Sequence, residues 1–432
     1  MEFRKLGEFC TVKGGKRLPK GTQLQESKTN HPYLRIKDFN NGNIDINNLM
    51  YISEEVFNKI SNYTINKGNI FLSIVGTIGL VDVIEEELDK SSLTENAVKI
   101  YSNDEKQLST EFLSYYLKST MGQHEISIRT VGSTQPKLAI TRIKDINVPM
   151  IDIKKQYKIT WILSNIDKKI KLNRTIIANL EELSQTLFKR WFIDFEFADK
   201  NGNPYKSSGG EMVDSELGKI PKYWKVSNLD KIASFVSRGI TPKYNENSDI
   251  QIPIINQKVN KGPRLDLQYI KYFDGQNRIK KELYAQKNDL LLNSLGQGTL
   301  GRIHLFTRKS EEFLIDQHIS IIRFDNINYS YFYYAHINTD LIQGQIDSLI
   351  SGSTGMLMLN ITKIRNLKVI LPTEELVLKY SKLVNEYFGK ITQLIYENEN
   401  LTQLRDALLP KLMSGEIDIP DDIEVNEDEL SI

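Results

Sequence analysis

The side chains best suited to chemistry in this chain are basic, hydroxyl and amide groups in short loops, and they occur as two sets. Lysine and arginine anchor phosphates, whereas arginine, glutamine and asparagine also read base edges through bidentate hydrogen bonds. The first set comprises Lys13, Lys16, Arg17, Lys20, Ser133, Thr134, Gln135 and Lys137. The second comprises Arg238, Lys243, Lys258, Lys261, Arg264, Ser353 and Thr354. Together they predict contact with a nucleic acid, while the competing interpretation of any single loop is a solvated turn in which glycine supplies a positive φ.

Common catalytic motifs are absent from the sequence. It has no GxxxxGK[ST] loop for ATP, no GxGxxG that opens a βαβ unit, no GxSxG and no HExxH. Cys10 is the only cysteine and permits no internal disulfide, and the five histidines lack metal-ligand spacing. The glycine fragments at residues 14–16 and 296–298 lack the partner residues of phosphate-binding loops. We therefore expect no self-contained catalytic site, no metal and no cofactor bound by this chain.

Charge is unevenly divided along the chain. Residues 416–432 hold eight acidic side chains and no lysine or arginine, and without them 56 basic residues face 47 acidic ones, a net charge of +9. A moderately basic body is compatible with nucleic-acid binding, and the acidic tail is expected to be mobile. The sequence has no apolar run of the roughly 18 residues that a membrane span needs, so we expect a cytoplasmic protein without membrane contact.

An internal repeat organises the sequence. Four blocks recur in the same order at offsets of about 220 residues, and they pair residues 6–20 with 229–243, 69–79 with 289–301, 132–134 with 352–354, and 141–149 with 362–372. One such match could arise by chance, but four collinear matches indicate a duplication. Repeats constrain architecture more strongly than local propensities do, so we expect two copies of one globular unit.

Each copy has the pattern of a mixed α/β (α+β) unit followed by a long helix. Short β-branched and aromatic runs alternate with glycine, asparagine and proline turn signals. They predict strands at residues 70–75, 97–101, 252–255 and 319–324, and a helix lies between strands at residues 111–118. The related segments T-R-I-K at 141–144 and T-K-I-R at 362–365 are also interpreted as strands.

Heptad patterns predict two long helices of about 40 residues each, which is about 60 Å at 1.5 Å per residue. In the first helix the positions seven apart are Ile159, Ile166, Asn173, Leu180 and Leu187, and in the second they are Tyr380, Tyr387, Leu394, Leu401 and Leu408. These residues are expected to form the seam of an antiparallel helix pair, because a two-fold relation between the copies reverses one helix against the other. The alternative is that each helix packs only on its own globular unit. Pro410 is expected to end or kink the second helix.

The expected domain order follows from these patterns. A first globular unit at residues 1–150 precedes the first long helix at 151–195 and a Gly/Ser-rich linker at 196–214. A second globular unit at 215–371 precedes the second long helix at 372–415, and the acidic tail occupies 416–432. Asn173, a polar residue at a seam position, is interpreted as a register device or a contact to another protein.

A family resemblance rests on several of these features together. The two-copy layout, the GST loops followed by T-[RK]-I-[KR], the long helix after each copy and the segment E-L-G-K-I-P-K-Y-W at residues 216–224 resemble the specificity subunits of type I restriction-modification systems. The resemblance covers roughly residues 1–415. One departure is that the second loop has Gly355 where the first has Gln135, so an amide role for Gln135 has no counterpart.

The resemblance implies a DNA-binding function without catalysis. Two pseudo-symmetric target-recognition domains would each read one half of a split double-stranded DNA sequence, with the antiparallel helices as a ruler between them. Two methyltransferase subunits that bind S-adenosylmethionine and methylate adenine N6 would dock on residues 152–193 and 373–413. Two restriction and translocation subunits, which use ATP and Mg²⁺, would complete the system.

Two other functions stay open at this point. A self-contained adenine-N6 methyltransferase would carry an NPP[FYW] motif, and Asn203-Pro204-Tyr205 lacks its second proline. A coiled-coil adaptor that binds protein but not DNA would agree with the modest net charge. Titration of the isolated chain with S-adenosylmethionine separates the first alternative, and salt-dependent DNA binding separates the second.

Overall fold

The computed structural model describes residues 2–40, 42–132, 134–244, 250–274, 279–350 and 357–420. The chain forms two compact units. Unit 1 comprises Met1–Lys171 together with Asn398–Ile432, and unit 2 comprises Leu172–Glu397. The predicted loop residues Ser133, Ser353 and Thr354, and most of the acidic tail, lie outside the described residues.

Unit 1 is built on a four-stranded antiparallel sheet. Its strands lie in the order Cys10–Gly14, Ala97–Ser102, Ile70–Ser73 and Val81–Val83. The other strands are Glu2–Lys5 paired with Asn147–Met150, Phe39–Asn40 paired with Asn43–Ile44, and a small sheet of Tyr33–Leu34, Ser91–Leu93 and Thr64–Ile65. The shorter α-helices are Leu6–Phe9, Glu54–Ile60, Thr110–Lys118, Thr120–Arg129 and Ile140–Lys144.

Both faces of the strand Ile70–Ser73, one of the two inner strands of the sheet in unit 1, are buried. Ile70 and Leu72 pack in one apolar cluster with Phe112 of a neighbouring helix, and Phe71 packs in another with Leu34 on the opposite face. Side chains alternate between the two faces of a strand. A strand covered on both faces therefore appears in the sequence as a continuous apolar run, which is why its position could be predicted.

Unit 2 repeats this architecture. Its four-stranded sheet has the order Phe235–Arg238, Ile319–Arg323, Leu290–Asn293 and Ile303–Leu305. The remaining strands are Met212–Ser215 paired with Gly218–Pro221, Lys225–Asn228 paired with Lys368–Leu371, and a sheet of Lys271–Asp274, Gln251–Ile255 and Leu314–Ile315. The shorter α-helices are Ile327–Ile337, Asp340–Leu349 and Ile361–Arg365.

Side-chain hydrogen bonds also recur between the copies. In unit 1, Gln123 Nε2 donates to the carbonyl oxygens of Gly79 and Leu117 at 2.9 and 2.8 Å. In unit 2, Gln343 Nε2 donates to those of Gly301 and Ile337 at 3.3 and 2.8 Å. The same amide thus ties a helix to the same loop in both units, and the predicted duplication is confirmed.

The T-[RK]-I-[KR] segments are not strands, so that prediction was wrong. They form the short helices Ile140–Lys144 and Ile361–Arg365, and the strands follow them at Asn147–Met150 and Lys368–Leu371. The Asn360 side chain caps the second helix by accepting from Thr362 N at 2.7 Å. Over four residues, one buried isoleucine between two basic side chains fits either a strand or one helical turn.

The two long helices are Ile153–Phe188, extended by a π-helical turn at Lys189–Ile193, and Glu374–Ser414. In unit 1, Ile159 and Leu163 share an apolar cluster with Leu409 and Leu412. There, Arg405 Nη1 also donates to Asp167 Oδ1 at 2.9 Å. Residue numbers fall on the second helix as they rise on the first, so these segments run antiparallel.

Unit 2 contains the complementary segments of the same helices. Asn173 Nδ2 donates to Glu397 Oε2 at 3.0 Å, and the rings of Phe188 and Tyr380 are 5.7 Å apart. The direction is again antiparallel, as predicted for the helix pair. Pro410 lies inside the second helix, which continues to Ser414, so Pro410 does not end it.

The predicted seam residues are buried to different extents. Ile159, Asn173, Tyr380 and Leu394 are buried, whereas Ile166, Leu180, Leu187, Tyr387, Leu401 and Leu408 are half-buried. In the first helix, Leu163, Ile170 and Ile177, which also lie seven apart, are more deeply buried than Ile166 and Leu180. The buried side of the first helix therefore lies between the predicted seam positions and this second set of positions. A helix that also covers a globular unit needs a wider apolar face than a coiled-coil seam.

Segments 196–214 and 416–420 both pack on folded parts of their units. Tyr205 stacks on Phe197 with ring centroids 4.8 Å apart, and Phe197 stacks on Trp224 at 5.5 Å. In unit 1, Lys155 Nζ lies 3.1 Å from Asp418 Oδ1, and Ile419 is buried. The predicted linker is thus a folded part of unit 2, and the beginning of the acidic tail contacts the first long helix.

Candidate nucleic-acid interface

In unit 1, the predicted loop around Lys13–Lys20 and the described residues of loop Gly132–Lys137 lie at the same edge of the four-stranded sheet. This edge is the one formed by the ends of its strands near Gly14, Ser73 and Ala97. Beyond the strand Cys10–Gly14, Lys16 N donates to Leu93 O at 2.8 Å. Loop 132–137 is closed by hydrogen bonds between Val131 and Lys137, and Leu138 N donates to Ile74 O at 3.0 Å. Residues 74 and 93 both adjoin the sheet edge at which the strand Ala97–Ser102 begins, so the two loops are neighbours.

The basic side chains of these loops are available to solvent. Lys13, Lys16, Arg17, Lys20, Thr134, Gln135 and Lys137 are all exposed. Lys16 Nζ lies 5.3 Å from the centre of the Tyr63 ring, a cation–π contact. An exposed cluster of cations and amides at one edge can bind a phosphodiester chain without the cost of breaking buried ion pairs.

Unit 2 holds those of its predicted residues that the structure describes at the equivalent edge. Ile240 N donates to Ile315 O at 2.7 Å, which positions the loop around Arg238–Lys243. Leu357, which follows the loop Gly352–Gly355, accepts from Gly296 N at 3.3 Å. The loop around Lys258–Arg264 joins this edge because Asn293 Nδ2 donates to Asn260 O at 3.2 Å.

Two arginines among the predicted basic residues of unit 2 contact other groups of that unit. Lys243, Lys258, Lys261 and Arg264 are exposed, and Arg238 is half-buried with Nη2 donating to Leu359 O at 3.3 Å. Arg264 lies 3.6 Å from Glu181 of the first long helix. Burial raises the pKa of Glu181, and Arg264 opposes that shift. A DNA phosphate would have to compete with Glu181 for Arg264. The DNA contacts expected from the sequence for the residues of both units stay predictions.

Sequence reasoning missed the residues that face these loops from the adjacent segments. In unit 1, Glu95 Oε1 accepts from Arg17 Nε at 2.8 Å. Burial acts to raise the pKa of Glu95, but hydrogen bonds, that from Arg17 foremost, outweigh it and hold the pKa below its usual value. Aligning residues 93–96 with 315–318 would have found this segment, because it lies between two of the repeated blocks.

The corresponding segment of unit 2 carries Asp316, Gln317 and His318. Asp316 is buried, accepts from His318 N at 2.8 Å, and also lies 2.8 Å from His318 Nδ1. Tyr244 OH donates to Asp316 at 3.2 Å. Burial, reinforced by Asp316, raises the pKa of Tyr244 to about 12. These contacts fix the backbone of the segment and leave the half-buried Gln317 side chain beside the loop around Arg238–Lys243.

The segment G-Q-G-T-L-G at residues 296–301 has the glycine spacing of dinucleotide-binding loops, but not their context. It follows the strand Leu290–Asn293 and leads into the strand Ile303–Leu305 rather than into a helix. A pyrophosphate in such a loop needs the helix N-terminus that follows the glycines. This segment therefore forms a turn between two antiparallel strands.

Both copies of the repeat match one known protein family. The family described as "Type I restriction modification DNA specificity domain" matches residues 1–182 and 221–394, more than half of the chain and one match to each copy. The chain belongs to this family. The sequence-based resemblance is thereby confirmed, and the role of this specificity protein lies in the DNA sequence choice of a type I restriction-modification system.

Relatives of this specificity protein match it along most of its length. It is 26% identical to the type I restriction enzyme MjaIX specificity subunit of Methanocaldococcus jannaschii over 96% of this chain and 98% of that protein. It is 24% identical to the type I restriction enzyme HindI specificity subunit of Haemophilus influenzae over 82% of this chain and 87% of that protein.

A solved structure shares the fold of this specificity protein. The type I restriction-modification S subunit from M. genitalium superposes with a TM-score of 0.57 at 18% identity, covering 97% of this chain and 96% of that one. In the part of the specificity protein that the structure describes, no cluster of three or more His, Cys, Asp or Glu side chains is placed to hold a metal ion. Within the same residues, no helix has the length and apolarity required to cross a bilayer.

Proposed function

We propose that each unit of this specificity protein reads one half of a two-part DNA target, while partner subunits methylate adenine N6 and cleave DNA. The observation that carries the proposal is the duplication. One chain holds the same four-stranded sheet twice, with exposed basic loops at the same edge of each. Paired DNA-binding modules generally read two half-sites, and here the two modules belong to one chain and have diverged in their loops.

The proposed partners are two methyltransferase subunits and two restriction subunits. The long helices support docking of the methyltransferase subunits because they carry large apolar side chains that solvent reaches. These are Leu172, Leu183, Leu378, Leu383 and Leu404. A partner that buries such side chains gains hydrophobic stabilisation. We further propose that S-adenosylmethionine, ATP and Mg²⁺ bind to the partners and not to this chain.

Mapping of methylated adenines tests the proposed function directly. The chain is produced with its methyltransferase partner in a host without other adenine methylation, and the modified positions are sequenced. We expect one motif of two short specific parts separated by a gap of unspecified bases. A contiguous motif, or S-adenosylmethionine binding by the isolated chain in calorimetry, would contradict the proposal.

We also propose that the long helices set the gap between the two half-sites. Each helix belongs partly to unit 1 and partly to unit 2, with the divisions after Lys171 and after Glu397. Seven residues inserted at both divisions lengthen each helix by about 10 Å and leave the packing within either unit unchanged. We expect the same two half-sites with a different gap.

The control for this experiment is an equal insertion after Gly202. This residue lies in an exposed turn where an added Cβ would meet nothing within 4 Å. The control complex is expected to keep the original gap. If the helix insertions change the half-site bases while the gap stays constant, the helices do not set the spacing.

A further inference from the structure

Each unit has a pair of hydrogen-bonded side chains at equivalent positions of the candidate interface, and the residue types of the pair differ between the units. The equivalence follows from the backbone. In unit 1, Gly15 N donates to Ala97 O at 3.1 Å, and Lys16 N donates to Leu93 O at 2.8 Å. In unit 2, Gly239 N donates to Ile319 O at 3.1 Å, and Ile240 N donates to Ile315 O at 2.7 Å. Gly15 thus corresponds to Gly239, and Leu93 corresponds to Ile315.

The crossing at these glycines is unusually close in both units. A Cβ added to Gly15 would lie 2.1 Å from Thr94 O, and a Cβ added to Gly239 would lie 2.0 Å from Ile315 O. Real Cβ atoms do not approach backbone oxygen so closely, so each position requires glycine. The backbone at Gly15 and Leu93 is therefore held in the same arrangement as the backbone at Gly239 and Ile315. The side chains two residues after each of these positions can differ between the copies.

In unit 1 those side chains are Arg17 and Glu95. Arg17 Nε donates to Glu95 Oε1 at 2.8 Å, and Glu95 Oε2 accepts from Thr94 Oγ1 at 3.2 Å. The Arg17 side chain is 82% exposed and that of Glu95 is 30% exposed. Because Glu95 engages Nε, it fixes the plane of the guanidinium and directs the two Nη groups away from the carboxylate. Two parallel N–H donors in that geometry match the O6 and N7 acceptors of guanine.

In unit 2 the equivalent side chains are Thr241 and Gln317. Thr241 Oγ1 donates to Gln317 Oε1 at 2.8 Å, the same distance as in the pair of unit 1. This contact orients the amide of Gln317 and leaves its Nε2 donors, together with one lone pair of Oε1, for a ligand. An amide with one donor and one acceptor on the same edge matches N7 and N6 of adenine.

We propose that these pairs, Arg17 with Glu95 and Thr241 with Gln317, each specify one base of a half-site, guanine for unit 1 and adenine for unit 2. Arg17 and Gln317 contact the bases. Glu95 and Thr241 are positioning residues, which act by orienting the side chain that makes the contact. The inference rests on the proposed function, and it names the residues through which two copies of one scaffold select different sequences.

The experiment maps methylated adenines for complexes that contain the Arg17→Ala, Glu95→Ala or Gln317→Glu variant of the full chain. Arg17→Ala is expected to reduce discrimination at one guanine of one half-site by about tenfold or more, with the other half-site unchanged. Glu95→Ala is expected to relax the same position, and Glu95→Gln, which keeps an acceptor for Arg17 Nε, is expected to restore part of the preference. Gln317→Glu replaces the amide by an acceptor-only group and is expected to shift one adenine of the other half-site towards cytosine.

Lys20→Ala is the matched control, because Lys20 is an exposed cation of the same loop. It is expected to weaken DNA binding for all sequences without changing the motif. A two-part wild-type motif that Arg17→Ala and Gln317→Glu leave unchanged at every position would overturn the inference alone. A wild-type complex with a contiguous motif would overturn the proposed function and this inference with it.

Discussion

Gly15→Val is expected to lower the free energy of unfolding by about 3 kcal/mol or more, and to abolish recognition of the half-site proposed for unit 1. The new Cβ would lie 2.1 Å from Thr94 O and 2.3 Å from Leu93 O. Both contacts are with backbone atoms, which cannot move aside as the end of a side chain can. Relief therefore requires separating the loop around Lys13–Lys20 from the segment that bears Glu95. Urea denaturation of the full chain, followed by circular dichroism, measures the loss.

The adjacent glycine provides the control for this substitution. An added Cβ at Gly14 would meet only Ile140 Cδ1, at 3.6 Å, which is an ordinary van der Waals distance. Gly14→Ala should therefore change stability by less than about 1 kcal/mol. If Gly15→Val is as stable as Gly14→Ala, the close crossing of the two backbones in unit 1 is not required.

Arg323→Met is expected to destabilise the chain by about 3 to 5 kcal/mol at neutral pH. Asp289 is fully buried, and its carboxylate accepts from Arg323 Nε and Nη2, both at 2.7 Å. Burial raises the pKa of Asp289, and Arg323 opposes that shift. Removing the guanidinium leaves an uncompensated carboxylate in the core beside the central strand Leu290–Asn293.

The pH dependence gives this prediction its sign. When the pKa of a carboxyl group is higher in the folded state than in the unfolded state, the folded protein loses stability as the pH rises from the unfolded-state pKa through the folded-state pKa. Arg323→Met raises the pKa of Asp289 in the folded state further. The stability that the variant loses relative to the wild type should therefore be largest at neutral pH and should shrink as the pH falls. Denaturation curves between pH 4 and pH 8 measure this trend.

The double variant Asp289→Asn with Arg323→Met separates charge from packing. It removes the buried charge but keeps an oxygen that can accept from Gln286 N, as Asp289 does at 2.7 Å. Most of the lost stability should return, and the pH dependence should disappear. A deficit in the single variant that stays constant across the pH range would show that lost packing of Arg323, rather than the unpaired carboxylate, causes the destabilisation.

The duplication could be predicted from sequence because the repeated blocks contain two of the four strands of each sheet. Residues 97–101 and 319–324 lie outside those blocks and were predicted as strands from their β-branched and aromatic runs. The structure confirms them as Ala97–Ser102 and Ile319–Arg323. The helix predicted at residues 111–118 is confirmed as Thr110–Lys118. The error at residues 141–144 arose where a segment is shorter than the period that distinguishes a strand from a helix.

The side-chain pairs proposed to read bases could not be predicted from sequence spacing. Arg17 and Glu95 are 78 residues apart, and Thr241 and Gln317 are 76 apart. They meet only because the backbone crosses at Gly15 and Gly239, and neither pair belongs to a recognisable motif. The basic loops were easier to find, because exposed lysines and arginines in a repeated block are visible in the sequence itself.

The order in which the chain leaves the ribosome gives the division of the long helices a further consequence. Unit 1 includes Asn398–Ile432, and its core contains Leu409, Leu412 and Met413 beside Ile159 and Leu163. Synthesis of unit 1 begins first, but unit 1 is completed only after unit 2, because it needs residues 398–432, which follow all of unit 2 in the chain. Until then Ile159 and Leu163 lack the apolar side chains that cover them in the folded unit, and exposed apolar surface makes such intermediates prone to aggregation. A stop codon just after Glu397 would thus damage unit 1 more than unit 2.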